Sequence, residues 1–188
     1  MTDFALTSAT RRKMVFLCLA ASLVPLLPGA AHSAGDEISK RFEWLKQNGN
    51  SNCSQEFLDS IASMPGTARL QGSCCGPMDL HRYREQIAGL KAHVGIAEIP
   101  PDPYDIEAGL AKRLLAAYGT VLKPVQQKAY DEAMALSSEK GPCCCQCWRW
   151  HVYGGLGKLL IRDHGFDGEK LARIWDLSDG CGGEDHVH

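Results

Sequence analysis

Apolar residues recur along most of the chain at spacings of three and four, which is the repeat of an amphipathic α-helix. Seven such runs are present: Ile38, Phe42 and Leu45; Phe57, Leu58 and Ile61; Leu80, Tyr83, Ile87 and Leu90; Ile106, Leu110, Leu114 and Tyr118; Val125, Ala129 and Ala133; a stretch from Pro142 to about Asp163; and Leu171, Ile174 and Trp175. No stretch alternates convincingly with the period of two that a half-buried strand requires. The pattern therefore predicts an all-α, single-domain bundle of about six to seven helices.

Capping residues, prolines and glycines set the expected helix boundaries. They are Asn52 for the second helix, Pro77 for the third, Pro124 for the fifth, Pro142 for the start of the sixth, Gly165 for its end, and Asp167 for the seventh. The Pro-Pro-Asp-Pro segment at 100–103 is expected to be a stiff extended linker. Gly154, Gly155 and Gly157 would weaken the sixth helix unless another backbone comes close, so they predict a helix crossing.

The first 33 residues have the features of an export signal peptide. Arg11, Arg12 and Lys13 precede an apolar stretch over 14–27, and Ala31-His32-Ser33 offers small residues at a cleavage site. The apolar stretch is shorter than the roughly 18 residues of a membrane-spanning helix, and no later segment qualifies. We therefore expect a periplasmic or secreted domain over residues 34–188, with Cys18 removed.

The leader leaves two export routes open. Arg11 and Arg12 followed by Met14 and Val15 resemble the twin-arginine motif, although Phe-Leu is usual at the two hydrophobic places. An ordinary Sec leader fits equally well. The twin-arginine route carries folded proteins, so a metal could then be loaded in the reducing cytoplasm before export.

The formal charge bears on two classes of partner. The leader holds Arg11, Arg12, Lys13 and Asp3, so its removal changes the formal net charge from −2 to −4. An acidic domain without basic blocks gives no reason to expect nucleic acid or an anionic membrane surface as a partner.

The unusual feature of the chain is its cysteines. Eight remain after the leader: Cys53, Cys74, Cys75, Cys143, Cys144, Cys145, Cys147 and Cys181. An even number in an oxidising compartment favours a disulfide framework, but adjacent cysteines rarely bridge each other. Cys53 and Cys181 lie away from the two clusters in sequence.

A helix that begins at Pro142 would place Cys144, Cys147 and His151 on one face, with Cys143 in an overlapping row and Cys145 pointing elsewhere. Two thiols and an imidazole are the start of a Cys/His metal site. The expected metal ligands are Cys74, Cys75, Cys143, Cys144, Cys147, His151 and Cys181. Free N–H groups in the first turn, together with Arg149, would favour thiolates there.

Three functions remain open at this point. The first is binding of a soft metal, Cu(I) before Zn(II), for sequestration or delivery, and an iron–sulfur cluster is a variant because four cysteines also ligate it. The second is a disulfide-stapled helical module. The third is a thiol redox protein that uses the Cys-x-x-Cys pair Cys144 and Cys147. His186 and His188 form a His-x-His end that is more typical of a solvated terminus than of a metal site.

Motifs of common enzymes are absent from the sequence. It contains no phosphate-binding glycine loop, nucleophile elbow, His-Glu-x-x-His or Cys-x-x-Cys-His motif. We therefore expect a binding protein more than an enzyme, with a metal ion as its partner.

The C-terminal third resembles the PCYCGC-motif family of exported proteins. The resemblance rests on a cysteine pair, a helix, and Gly165-Phe166-Asp167 leading into Leu171-Ala172-Arg173-Ile174, over about forty residues. The Cys-Tyr-Cys-Gly-Cys signature itself is missing. The resemblance implies an exported, cysteine-rich, helical protein that is a candidate for metal binding.

Overall fold

The computed structural model describes the backbone of residues 29–182 and the side chains of residues 36–182. In this part of the chain the helices are α1 (Gly29–Asn48), α2 (Gln55–Ile61), α3 (Leu80–Leu90), α4 (Ala108–Tyr118), α5 (Pro124–Leu136), α6 (Trp148–His164) and α7 (Gly168–Ser178). The same part of the chain also contains two strands, β1 (Arg69–Gln71) and β2 (Asp105–Glu107), and a 3₁₀ turn at Lys91–His93. The prediction of an all-α single domain is confirmed. Most of the predicted signal peptide, including Cys18, and the two C-terminal histidines lie outside the described residues.

Helix α6 is central to the main core, where it packs along α4 and also contacts α5 and α7. Gly155 allows the close approach to α4, because a Cβ added there would lie 1.8 Å from the carbonyl oxygen of Leu114. The predicted helix crossing is thus confirmed. On the α7 side, the indole N–H of Trp175 donates to the carbonyl of Tyr153 at 2.9 Å.

A second, smaller core joins α1 and α3. It consists of Phe42, Leu45, Met78, Tyr83 and Tyr104, all buried. None of the described helices combines the length and apolar character that crossing a membrane would need.

Several predicted boundaries are confirmed. Helix α5 begins at Pro124. Gly165 ends α6 in the left-handed conformation, with φ of 65°. The Asp167 side chain caps α7 by accepting from the backbone N–H of Lys170 at 2.9 Å.

Other boundaries were wrong. Ser54, not Asn52, caps α2, because its hydroxyl accepts from the N–H of Phe57. Asp79 caps α3, which begins at Leu80 and not at Pro77. The segment 100–103 forms a bend with Pro100 and Pro103 buried, not an extended linker.

The sequence also missed the two strands. They pair antiparallel with Leu70 opposite Ile106, and both of these side chains are buried. Strands of three residues are too short to show an alternating pattern, so Ile106 was wrongly placed in the fourth helix.

The most consequential correction concerns the sixth helix. It begins at Trp148, and Cys147 is its N-cap with extended backbone at φ −84° and ψ −171°. Residues 141–147 form a series of bends outside any helix. The hydroxyl of Ser137, itself buried, accepts from the N–H of Gly141 at 2.8 Å and holds the start of this segment. The shared helical face predicted for Cys144, Cys147 and His151 therefore does not exist.

Candidate metal centre

All eight described cysteines lie in one cluster, although four separate segments supply them. Each segment is a connection between elements: Cys53 precedes α2, Cys74 and Cys75 follow β1, the cysteines of 143–147 precede α6, and Cys181 follows α7. The fold thus brings together four loops that are far apart in sequence.

Backbone hydrogen bonds hold two of these loops together. The N–H of Cys74 donates to the carbonyl of Gly180 at 3.3 Å, and the N–H of Gly76 donates to the carbonyl of Cys181 at 2.7 Å. The hydroxyl of Ser73 donates to the same Cys181 carbonyl at 3.0 Å. The position of Cys181 is therefore fixed by main-chain contacts as well as by its own side chain.

Four sulfurs form an inner layer against the hydrophobic core. They belong to Cys74, Cys143, Cys147 and Cys181. Cys143, Cys147 and Cys181 are buried, and all three belong to the main core. The Sγ of Cys143 lies 3.9 Å from that of Cys147 and 3.0 Å from that of Cys181, and the Sγ of Cys74 lies 3.9 Å from that of Cys181.

The other four sulfurs form an outer layer toward the solvent. They belong to Cys53, Cys75, Cys144 and Cys145, of which Cys75 is exposed and the rest are half-buried. The Sγ of Cys75 lies 2.8 Å from that of Cys53, 4.0 Å from that of Cys144 and 3.8 Å from that of Cys145. The Sγ atoms of Cys53 and Cys145 are 3.8 Å apart.

The irregular backbone at 143–147 explains why so many sulfurs meet. On a helix, three consecutive side chains would spread over about 200°, and Cys145 would point away from Cys144. In the bends of this segment, the sulfurs of Cys143, Cys144 and Cys145 instead lie within 4.8 Å of one another.

Among the predicted ligands, the structure brings together Cys74, Cys75, Cys143, Cys144, Cys147 and Cys181. His151 takes another place, since its ring packs edge-on against Tyr118 with centroids 4.8 Å apart. No described group of three or more ligand atoms within 4.8 Å includes it. Cys53 and Cys145 were missed, and only the even count of eight in the sequence pointed to them.

The sulfur separations exclude disulfides between the described cysteines in this conformation. The shortest contact, 2.8 Å, exceeds the S–S bond length of about 2.05 Å. Cys181 is also nearly equidistant from Cys143 and Cys144, at 3.0 and 2.9 Å. A disulfide can join Cys181 to only one of these two cysteines.

Many contacts match the spacing of metal thiolates. A metal–sulfur bond of about 2.3 Å places the sulfurs around a trigonal or tetrahedral ion roughly 3.8–4.0 Å apart. Contacts of 3.7–4.0 Å occur within each layer and between them. The cluster can therefore hold metal ions.

A buried cation lies beside the inner layer. Arg149 is fully buried, and its guanidinium donates to the carbonyls of Pro103 at 2.6 Å and Gly72 at 3.0 Å. Its charge acts on Cys74, Cys143 and Cys181, three of the four inner sulfurs. A buried charge is stable when an opposite charge compensates it, and thiolates supply one here.

The thiols of the cluster differ in their pKa values. Hydrogen bonds from Cys143 lower the pKa of Cys145 to about 4 and that of Cys144 to about 7. Contacts with Cys143, Cys147 and Cys181, aided by Arg149, hold the pKa of Cys74 far below its usual value. Burial raises the pKa of Cys53 and of Cys75. Part of the cluster is therefore ionised at neutral pH, and thiolates are the form that binds metals.

Comparison of the chain with protein-family models, curated proteins and solved structures finds no significant match. The resemblance of the C-terminal third to the PCYCGC-motif family therefore stays a prediction. What the structure establishes is an all-α protein with a cysteine cluster that can hold metal ions.

Proposed function

We propose that this protein is an exported soft-metal-binding protein that holds Cu(I), with Zn(II) as the second choice, for sequestration or delivery. The observation that carries the proposal is the convergence of eight cysteines from four loops into one two-layer cluster in which no two described sulfurs are at disulfide distance. Soft thiolate ligands favour Cu(I), Zn(II) and iron–sulfur clusters over harder ions.

The buried cation supports this function over a disulfide-stapled module. Eight cysteines paired in disulfides would be neutral, so the sulfurs beside the buried Arg149 would contribute nothing to compensating its charge. Burying a charge without compensation costs several kcal/mol. Metal-bound thiolates remain negative and compensate it.

The geometry gives less support to a thiol redox pair at Cys144 and Cys147. Cys144 contacts Cys181 at 2.9 Å, and Cys147 contacts Cys143 at 3.9 Å. Each of the two thiols thus has a partner in the cluster other than the one that the Cys-x-x-Cys motif assigns.

Export is part of the proposal because residues 1–33 have the features of a leader peptide. A site loaded before translocation by the twin-arginine route would reach the oxidising compartment with its thiols already bound. Storage or delivery follows from the absence of a recognisable acid/base pair among the motifs of the sequence.

The test uses the full chain with Cys18→Ser, purified and reduced without oxygen. We expect it to take up Cu(I) from a colourless chelated complex, and to yield eight free thiols when it is denatured after the metal is removed. His151→Ala should bind as much copper as the parent, while Cys143→Ser should bind less. The proposal fails if the reduced protein takes up neither Cu(I) nor Zn(II), or if His151→Ala alone abolishes uptake.

A further inference from the structure

We propose that Cys75 is the entry and exit ligand of the cluster, at which a Cu(I) ion arrives from a complex in solution before it passes to the buried sulfurs. This inference rests on the proposed function. It adds the route by which copper is exchanged and gives the exposed thiol a role different from that of the buried ones.

Exposure to solvent falls from the outer to the inner layer. Among the described cysteines, Cys75 alone is exposed, and the other three outer sulfurs belong to half-buried residues. In the inner layer, Cys143 and Cys181 are each 1% exposed and Cys147 is 4% exposed. A copper complex that approaches from solvent therefore meets Cys75 before it can reach the inner sulfurs.

A continuous series of sulfur contacts leads from Cys75 into the core. The Sγ of Cys75 lies 3.7 Å from that of Cys74, which lies 3.9 Å from that of Cys181. The Sγ of Cys181 lies 3.0 Å from that of Cys143, which in turn lies 3.9 Å from that of Cys147. The exposed thiol is thus connected to each of the inner sulfurs without a gap.

A second branch reaches the same buried position. The Sγ of Cys75 lies 4.0 Å from that of Cys144, and the Sγ of Cys144 lies 2.9 Å from that of Cys181. Both branches therefore start at Cys75 and meet at Cys181. Loss of one intermediate sulfur would leave the other branch intact, whereas loss of Cys75 would remove the start of both.

Hydrogen bonds on both sides of Cys75 fix it in its exposed position. The N–H of Cys74 donates to the carbonyl of Gly180, and the N–H of Gly76 donates to the carbonyl of Cys181. The residue after Cys75 is a glycine and carries no side chain that could cover the sulfur. The loop thus presents Cys75 to solvent while it stays attached to the segment that carries Cys181.

The transfer is an exchange of ligands without a change of oxidation state. A bond forms between Cu(I) and the sulfur of Cys75 as a bond from Cu(I) to a ligand of the donor complex breaks, and the thiol proton passes to solvent. Two sulfurs that are both bonded to one ion at about 2.3 Å are at most about 4.6 Å apart. Every contact on the two branches is shorter than this, so the ion can bind the next sulfur before it leaves the last one.

The experiment compares the rates of copper uptake and release. The reduced full chain, carrying Cys18→Ser, is mixed without oxygen in a stopped-flow instrument with less than one equivalent of Cu(I) as its coloured bicinchoninate complex, whose absorbance falls as copper leaves it. Release is then measured by adding excess bicinchoninate to the loaded protein. We expect Cys75→Ser to slow uptake about tenfold or more, because exchange must then begin at a half-buried sulfur.

Release should be slower in Cys75→Ser as well, since a residue on the only exposed path speeds exchange in both directions. Cys143→Ser is the matched control, because its sulfur is buried and holds the ion after entry. It should take up copper at the rate of the parent and release it faster. Cys75→Ala should behave as Cys75→Ser does, and circular dichroism of each reduced variant checks that the helices are intact.

The outcomes separate this inference from the proposed function. A smaller slowing of uptake in folded Cys75→Ser and Cys75→Ala, or release faster than that of the parent, would overturn the role of Cys75 while the parent still binds copper. No uptake of copper by the parent protein would overturn both.

Discussion

At the scale of single residues, the most exposed thiol of the cluster is not the most acidic one. Cys75 is the most exposed of the eight thiols, yet burial of its sulfur among other cysteines raises its pKa. Cys145 is half-buried, but the thiol of Cys143 donates to its sulfur and stabilises the thiolate. The thiol that solvent reaches best is therefore not the one that ionises first.

This difference predicts the order in which the thiols of the metal-free protein react. Cys145 has its pKa lowered to about 4, so at pH 6 it lies above its pKa and is a thiolate, whereas Cys75, with its pKa raised, is protonated. Because the thiolate is the nucleophile, we expect iodoacetamide at pH 6 to label Cys145 before Cys75, as peptide mass spectrometry would show. Lowering the pH through 4 should suppress the labelling of Cys145.

Denatured protein is the control, since both cysteines should then react at similar rates. If the folded protein is labelled first at Cys75, exposure governs reactivity and the assigned acidity is wrong.

The sequence predicted six of the eight cluster residues, and the remaining two show where it falls short. Cys145 was excluded because a helix at 142–147 would turn it away from its neighbours, and the chain there is not helical. Cys53 stands alone in the sequence, and only the folding of its loop against Cys75 brings the two sulfurs within 2.8 Å. Contacts between residues so far apart in the chain produce no periodic pattern in the sequence that could predict them.

At the scale of elements, α6 carries the site by anchoring the cysteine segment at its N-terminus. The close packing of α6 on α4 fixes where that N-terminus lies. Three glycines in one helix indicated a crossing, but the sequence could not name α4 as the partner, because the crossing depends on how distant helices pack. The start of α6 was missed because Pro142 is as acceptable in a bend as in a first helical turn.

Gly155→Ala tests this crossing. Alanine improves helix propensity by about 1 kcal/mol, but its Cβ would lie 1.8 Å from the Leu114 carbonyl oxygen, and backbone cannot give way as a flexible side chain can. Overpacking of a core costs about 1–3 kcal/mol or more, so the clash should win. We expect the free energy of unfolding of the reduced, metal-free variant to fall by about 2 kcal/mol or more in urea denaturation.

Gly95→Ala is the matched control. A Cβ at Gly95 meets nothing within 4 Å, and the free energy of unfolding should change by no more than about 0.5 kcal/mol. Equal effects of the two substitutions would show that the approach of α4 to Gly155 is not what requires a glycine.

At the scale of the whole molecule, the cluster joins four loops that are far apart in sequence. It links the loop before α2, the loop after β1, the segment before α6 and the end of α7. In the metal-free protein the cysteines themselves add only weak thiol contacts to these connections. A metal cluster would replace them with strong bonds.

Metal binding should therefore stabilise the fold as a whole and the four loops in particular. A ligand that binds only the folded state adds about 2.7 kcal/mol of stability when its free concentration is 100 times the dissociation constant. We expect Cu(I) to raise the melting temperature and to slow amide hydrogen exchange most strongly at Cys53, Cys74–Cys75, 143–147 and around Cys181. Helix α5, which contributes no cysteine, should gain only the global part of this protection. Because the unfolded chain also carries thiols that bind copper, the measured gain should be smaller than the affinity alone implies. Uniform protection, or none at the loop around Cys181, would mean that copper does not bind across the four segments.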